Sequence, residues 1–101
     1  MRITAIETIQ VEEWPHLIWV RVHTDAGPVG LGETSYHTEA VAGYIHQVAA
    51  PYLIGRDPTR IDLHHRTLAK SLMALVAYRG SAAEIRAISA LDIALWDILG
   101  Q

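Results

Sequence analysis

The sequence has 101 residues, of which 50% are hydrophobic and 19% charged; this length fits one domain, and this composition excludes intrinsic disorder. The formal net charge is −3 and the 8 basic residues are scattered, which argues against nucleic acid or an anionic membrane surface as a partner. The chain has no cysteine and no apolar run or signal-like start, so disulfides and thiol chemistry are excluded, and we expect a cytoplasmic protein that does not span a membrane.

The first third of the chain predicts three antiparallel strands. From Ile3 to Val11, apolar residues occupy the odd positions, broken only at Glu7, as in a strand with one buried face. Residues 17–23 are rich in β-branched and aromatic side chains and predict a second strand. A turn at residues 25–27 then returns the chain into a third strand at residues 29–33.

Two helices are predicted in the middle of the chain. We expect the first from Thr38 to Ala50, with the Thr38 hydroxyl accepting hydrogen bonds from free amides at its start. The second is expected to begin at Asp57-Pro58, where a capping carboxylate precedes a proline at the first helical position. Its apolar stripe continues to Leu72, and Asp62 and Arg66 are spaced to form an exposed pair.

A third helix is predicted near the carboxyl end of the chain. Ser81 and Glu84 form a capping box, in which each side chain satisfies a free backbone amide of the other residue. A strong apolar face follows, made by Ile85, Ile88, Leu91, Leu95 and Ile98. The predicted fold class is therefore α+β, a three-stranded antiparallel meander followed by three helices.

Four segments in this order resemble the amino-terminal domain of the mandelate racemase and muconate lactonizing enzyme group of the enolase superfamily. They lie at residues 20–27, 29–33, 53–58 and 87–98, and the match covers essentially the whole chain. The resemblance implies that residues 1–101 are the capping domain that determines substrate specificity. It also implies that the chain ends where a catalytic (β/α)-barrel, absent here, should begin.

The resemblance places the chemistry of such enzymes outside this chain. In the family, three acidic residues of the barrel hold Mg²⁺ against a carboxylate substrate, and a barrel lysine or histidine removes the proton next to the carboxylate. The implied parent is a lyase or isomerase, such as an acid-sugar dehydratase, a racemase or a cycloisomerase, and a homo-oligomer is expected. The chain alone should be inert, with no catalytic residue, metal ligand or cofactor of its own. Its partners would be its own barrel domain and a small carboxylate substrate such as an acid sugar.

The resemblance assigns substrate contacts to two loops. The first loop maps to residues 13–16 and supplies Trp14 and His16, and the second maps to residues 35–38 and supplies Tyr36 and His37. We expect these four residues to bind substrate, His37 foremost. His37 could equally be an exposed loop histidine, and Trp14 could pack on the barrel rim. The first loop is short, which suggests an open or partner-completed pocket.

Other signals in the sequence support weaker readings. Residues 30–35 nearly match a dinucleotide-binding fingerprint, but no parallel βαβ unit follows, so the glycines are better explained by close packing. His64 and His65 are adjacent on a helix and point about 100° apart, so they cannot chelate one ion together. Lys70 is expected at the surface, and Asp97 is expected to contact the barrel.

Three readings of the whole chain remain open at this point. The first is the capping domain described above. The second is a stand-alone interaction module that docks a partner through its last helix, and the third is a small independent enzyme.

The segment at residues 78–80 also matches a family loop, where Arg79 could serve a domain contact or a ligand.

Overall fold

A sheet followed by helices forms the domain, and this confirms the predicted α+β arrangement. The computed structural model describes the backbone of residues 1–79 and 82–101 and the side-chain environments of residues 1–70 and 82–101. Within these ranges the strands are β1 (Ile3–Ile9), β2 (Leu17–Thr24) and β3 (Val29–Ser35). The helices are α1 (Thr38–Tyr44), a π-helical segment (Ile45–Ala49), α2 (Ala50–Leu53), α3 (Ile61–Arg79) and α4 (Ala82–Gly100). The described residues form no barrel.

The sheet is an antiparallel meander in the order β1-β2-β3, with one irregularity that the sequence pattern did not reveal. The register of β1 against β2 shifts between Ile3 and Ala5. This bulge reverses the alternation of the side chains, so that Ile3 and Ile6 are buried whereas Ala5 is exposed. The predicted inward face at odd positions is therefore wrong after Ile3.

Helix α4 packs directly on β3 through residues that lack bulky side chains. A Cβ atom at Gly32 would overlap the carbonyl oxygen of Ala90, and one at Gly30 would overlap that of Ala94. Ala90 and Ala94 are themselves fully buried. The glycines of the near-fingerprint thus permit close packing of helix on strand, as the sequence suggested, and we call this contact the seam.

The free edge of β3 is covered by the last turns of α4. The Asp97 carboxylate accepts a hydrogen bond of 2.8 Å from the Leu31 amide, and the Gln101 side chain donates one of 2.8 Å to the Val29 carbonyl. An uncovered strand edge invites pairing with other chains, and these contacts limit that risk. Asp97, which we expected to contact the barrel, thus has a partner within the domain.

The segment after β3 is one continuous helical stretch, longer than predicted. It runs through α1, the π-helical segment and α2 to Leu53, so the expected end at Ala50 is wrong. Pro51 lies at the start of α2, and the π-helical segment ends two residues before it. A proline cannot donate a backbone hydrogen bond to the preceding turn, and the sequence correctly indicated a weakness there.

Helix α3 begins at Ile61, three residues after the predicted start. The Asp57 carboxylate accepts hydrogen bonds from the Thr59 amide at 2.9 Å and from the Thr59 hydroxyl at 2.8 Å. These bonds hold the pKa of Asp57 below its usual value, the backbone amide contributing most. Asp57 therefore closes a turn before the helix and does not cap the helix itself.

Histidine 64 anchors the start of α3 to the preceding segment. It is 2% exposed, and its Nε2 donates to the Asp57 carbonyl at 2.7 Å. On the other side of the ring, Nδ1 forms a hydrogen bond of 2.9 Å with the Tyr52 hydroxyl. The adjacent His65 instead lies 3.7 Å from Asp92. The two histidines thus have different partners.

The remaining helical predictions have mixed outcomes. Helix α4 buries Ile88, Leu91, Leu95 and Ile98 as expected, but Ile85 is 53% exposed. The pair of Asp62 and Arg66 forms at 3.1 Å, and Lys70 is exposed. Tyr78 and Arg79 belong to the last turn of α3, whereas Gly80, the side chain of Leu72 and the capping box at Ser81 lie outside the described residues.

No helix in the described ranges is long and apolar enough to cross a membrane.

Candidate functional site

The two loops that the sequence singled out meet at one end of the sheet. Strands β2 and β3 pair as far as Leu17 and Ser35, which are opposite each other. The Tyr36 amide then donates a hydrogen bond of 2.7 Å to the His16 carbonyl, which extends the ladder beyond the strands. The backbone of β2 and β3 therefore fixes the position of one loop relative to the other.

Side chains from both loops and from α4 gather at this end. The rings of His16 and Tyr36 lie with their centroids 5.3 Å apart at an interplanar angle of 35°. The Arg86 guanidinium lies 5.7 Å from the centre of the Tyr36 ring and donates a hydrogen bond of 2.9 Å to the Ser35 carbonyl. We call the cluster of Trp14, His16, Tyr36, His37 and Arg86 the loop end.

The backbone of the second loop is held in a conformation that most residues avoid. Tyr36 has a φ of 65° and His37 a φ of 51°, both in the left-handed region. Two consecutive residues other than glycine in this region cost on the order of 1 kcal/mol each, and such strain persists where surrounding contacts fix it. The conformation of residues 36 and 37 is therefore fixed by the contacts around it.

Histidine 37 is also the residue that precedes α1. Its carbonyl accepts the first helical hydrogen bond, from the Val41 amide at 2.8 Å, but no side chain caps this helix. The expected capping role of the Thr38 hydroxyl is therefore wrong. Because the His37 side chain is exposed and is not used for capping, it remains available to a ligand.

The four predicted site residues occupy one region but differ in their contacts. His16 and Tyr36 contact each other, and His37 follows Tyr36 on the same strained turn. Trp14 lies on the first loop, where its carbonyl accepts a hydrogen bond of 3.1 Å from the Leu17 amide, and its side chain is 59% exposed. The loop end thus offers imidazole, phenol and indole groups to solvent.

Arg86 was not among the residues predicted from the sequence, although a geometric signal for it exists. Four residues of helix rise about 6 Å, and two residues of strand span about 6.6 Å, so the two spacings match. Ala94 packs on Gly30 and Ala90 on Gly32. The same step places Arg86 beside Thr34, at the end of β3, where it reaches the Ser35 carbonyl.

The described residues of the loop end offer no group of side chains for a metal ion. In the part of the chain for which side chains are described, no three His, Asp or Glu side chains are grouped so that they could hold a metal ion. The residues present therefore do not fit a Mg²⁺ site. An open depression of about 530 Å³ runs along the outer side of β3 and reaches Ser35, but it does not include the other loop residues.

Comparison with known proteins identifies relatives of this domain. Residues 3–101 match the family described as "Mandelate racemase / muconate lactonizing enzyme, N-terminal domain". A D-galactonate dehydratase from Verminephrobacter eiseniae is 39% identical over 103 aligned residues, which cover 100% of this chain and 25% of that enzyme. The chain thus spans about a quarter of the length of the curated relatives it matches.

Solved structures give the same result. An enolase of the mandelate racemase subgroup from Agrobacterium tumefaciens is 50% identical, with a TM-score of 0.87 over 99% of this chain and 27% of that one. A putative galactarate dehydratase from Agrobacterium radiobacter, bound to Na and L-malate, is 30% identical, with a TM-score of 0.82 over 97% of this chain and 24% of that one. The chain therefore belongs to the family of amino-terminal domains of the mandelate racemase and muconate lactonizing enzymes, within the enolase superfamily.

Proposed function

We propose that residues 1–101 cap the active site of an acid-sugar dehydratase of the enolase superfamily, with the loop end facing the substrate. The observation that carries this proposal is the meeting of the two loops, where the Tyr36 amide bonds the His16 carbonyl and the two rings lie together. A racemase or cycloisomerase of the same superfamily would use the same arrangement. The names of the dehydratase relatives favour the first activity.

The groups at the loop end suit a polyhydroxylated carboxylate. Imidazole and phenol groups can donate and accept hydrogen bonds with substrate hydroxyls, and the faces of aromatic rings pack against the apolar side of a sugar chain. Closing the loops over a substrate would exclude water and fix its orientation.

In this proposal the proton transfer and the metal belong to the barrel. The parent enzyme would hold Mg²⁺ there, where it stabilises the negative charge that develops when the α-proton is removed. The residues of this chain would bind and orient the part of the substrate that lies away from the reacting carbon, and they would transfer no proton. The chain alone is therefore proposed to be inert.

The exposed side of α4 is proposed as a contact with the barrel or with another subunit of a homo-oligomer. Ile85, Trp96 and Leu99 are 53%, 57% and 49% exposed, and their spacing places them along one side of the helix. The neighbouring Leu95 is buried at 2% and belongs to the core instead. These residues also suit the alternative reading, in which the domain docks a separate partner through this helix.

The exposed α4 residues lead to a prediction about self-association. The isolated chain should associate at high concentration, and Trp96→Glu should weaken this association because it places a charge in the apolar contact. Sedimentation velocity provides the measurement. Trp14→Glu is the matched control, since Trp14 is 59% exposed but lies at the loop end. A monomer at every concentration, unchanged by Trp96→Glu, would contradict the proposed contact.

A substitution of His37 tests the proposed role of the loop end. In the complete enzyme, His37→Ala should lower kcat/KM for the best acid sugar by roughly ten- to a hundredfold, because one distal hydrogen bond and its packing are lost. Exchange of the α-proton with solvent should persist in a smaller carboxylate, since the acid–base groups remain. His65→Ala is the control, because His65 is an exposed histidine on α3 that pairs with Asp92.

Two outcomes would contradict this proposal. Complete loss of α-proton exchange, in a variant that remains folded and still binds Mg²⁺, would make His37 a catalytic group. An unchanged kcat/KM for every substrate would mean that His37 is only an exposed loop residue.

A further inference from the structure

Arg86 is the side chain of α4 that reaches the second loop. Its Nη1 donates a hydrogen bond of 2.9 Å to the Ser35 carbonyl, and its guanidinium carbon lies 5.7 Å from the centre of the Tyr36 ring. The side chain is half-buried. Arg86 therefore contacts the backbone of Ser35, which precedes the strained turn, and the aromatic ring of Tyr36, which is the first residue of that turn.

The strained turn needs contacts of this kind. Tyr36 and His37 both have a positive φ, and neither is a glycine. The backbone bonds on either side run from the Tyr36 amide to the His16 carbonyl and from the Val41 amide to the His37 carbonyl. Neither of these bonds involves the Ser35 carbonyl, which Arg86 satisfies. Without Arg86, the turn would lose a side-chain hydrogen bond that connects it to α4.

Helix α4 is a rigid base for this contact. The backbone carbonyls of Ala90 and Ala94 pack against Gly32 and Gly30 so closely that no Cβ fits between them. Arg86 lies one helical turn before Ala90, so its side chain projects from the same helix close to this tightly packed contact. A long side chain anchored there can fix a loop that its own backbone does not favour.

We propose that Arg86 is a positioning residue that holds residues 35–37 in the left-handed turn and so sets the direction of Tyr36 and His37. The effect on substrate selection rests on the proposed function above. The positioning role itself does not depend on it, because it concerns the loop in the absence of substrate. Direct binding of the substrate by Arg86 is the competing explanation that the experiment must exclude.

Hydrogen exchange in the substrate-free complete enzyme tests the positioning role. In Arg86→Met, the amides of residues 35–41 should exchange about tenfold faster than in the wild type, because the turn opens more often. Arg86→Lys keeps the positive charge and a hydrogen-bond donor group but loses the planar guanidinium, and it should give a smaller increase. Arg66→Met is the matched control, since Arg66 is an exposed arginine on α3 paired with Asp62, and it should leave this segment unchanged.

The seam provides the check on folding. Exchange of residues 30–32 and 90–94 should stay slow in all variants. If Arg86→Met does not fold, Tyr36→Leu gives the second test, because it removes the ring beside the guanidinium and keeps the Ser35 hydrogen bond; it should also speed exchange at residues 36–39. Wild-type exchange at residues 35–41 in a folded Arg86→Met protein would overturn the proposal.

Kinetics of the same variants separate this inference from the proposed function. A displaced loop should raise KM for acid sugars about tenfold and change kcat by less than about threefold, with partial rescue by Arg86→Lys. Faster exchange with an unchanged KM would support the positioning role and contradict the substrate-facing role of the loop end. A raised KM with wild-type exchange would overturn the positioning role, since Arg86 would then act on the substrate directly.

Discussion

The seam and the loop end differ in the size of the side chains that form them and in how exposed those side chains are. At the seam, glycines of β3 meet alanines of α4, and the contact is made by buried backbone. At the loop end, large polar and aromatic side chains are exposed on a turn with positive φ. The seam is formed by glycine and alanine, which have little or no side chain. The loop end is formed by large side chains that are not needed to fill the core.

This difference shows which substitutions the domain can accept. A change at the seam adds atoms where backbone already fills the space, so the helix or the strand must move. A change at the loop end removes atoms that face solvent, so the fold should persist while the presented chemistry changes. Arg86 connects the two regions, because it starts from the helix of the seam and ends on the turn.

The largest expected effect concerns the seam. Gly32→Ala should destabilise the domain by about 3 kcal/mol, because the new Cβ meets the Ala90 carbonyl group, whose carbon is 2.9 Å away. Chemical denaturation provides the measurement. Gly43→Ala is the matched control, since no described atom beyond its chain neighbours and its own helix backbone lies within 4 Å of the added Cβ, and it should stabilise α1 by about 0.5–1 kcal/mol. Equal effects of the two substitutions would mean that the seam is not tightly packed.

A smaller effect of opposite sign is expected at the loop end. His37→Gly should stabilise the fold by about 0.5 kcal/mol, because glycine adopts a φ near 51° without strain. The same variant should lose substrate selectivity, since the side chain is absent. Glu39→Gly is the control, because Glu39 lies in the first turn of α1 and glycine there should destabilise by about 0.5–1 kcal/mol. Destabilisation by His37→Gly would show that the side chain supports the fold.

The sequence predicted the elements that depend on composition and periodicity. Strand β2 and helix α4 were placed within one or two residues, because each has a strong apolar pattern. The bulge in β1 was missed because one register shift reverses burial without changing composition. The start of α3 was misplaced because Asp57 can close a turn or cap a helix, and in both cases its carboxylate accepts a bond from the amide two residues on. The two differ in where the helix begins, which is Ile61 here.

At the candidate site, the family resemblance identified the two loops, and the structure showed how they lie relative to each other. No sequence pattern indicates that the Tyr36 amide bonds the His16 carbonyl, because that depends on the register of β2 against β3. Arg86 could have been found by extending the glycine and alanine spacings along both elements by one step. The positive φ of Tyr36 could not, since neither its residue type nor its neighbours require that conformation.

Hydroxyl-radical footprinting of the complete enzyme, with and without a saturating acid-sugar ligand, tests most directly whether the loop end faces the substrate. Trp96 is the internal reference: in this domain its exposure is close to that of Trp14, 57% against 59%, but it lies in the contact proposed for α4, where its oxidation should be low with and without ligand. We expect the ligand to lower the oxidation of Trp14, His16, Tyr36 and His37 severalfold and to leave that of Trp96 unchanged. Equal oxidation of the loop residues with and without ligand, in an enzyme shown to bind it, would contradict the account.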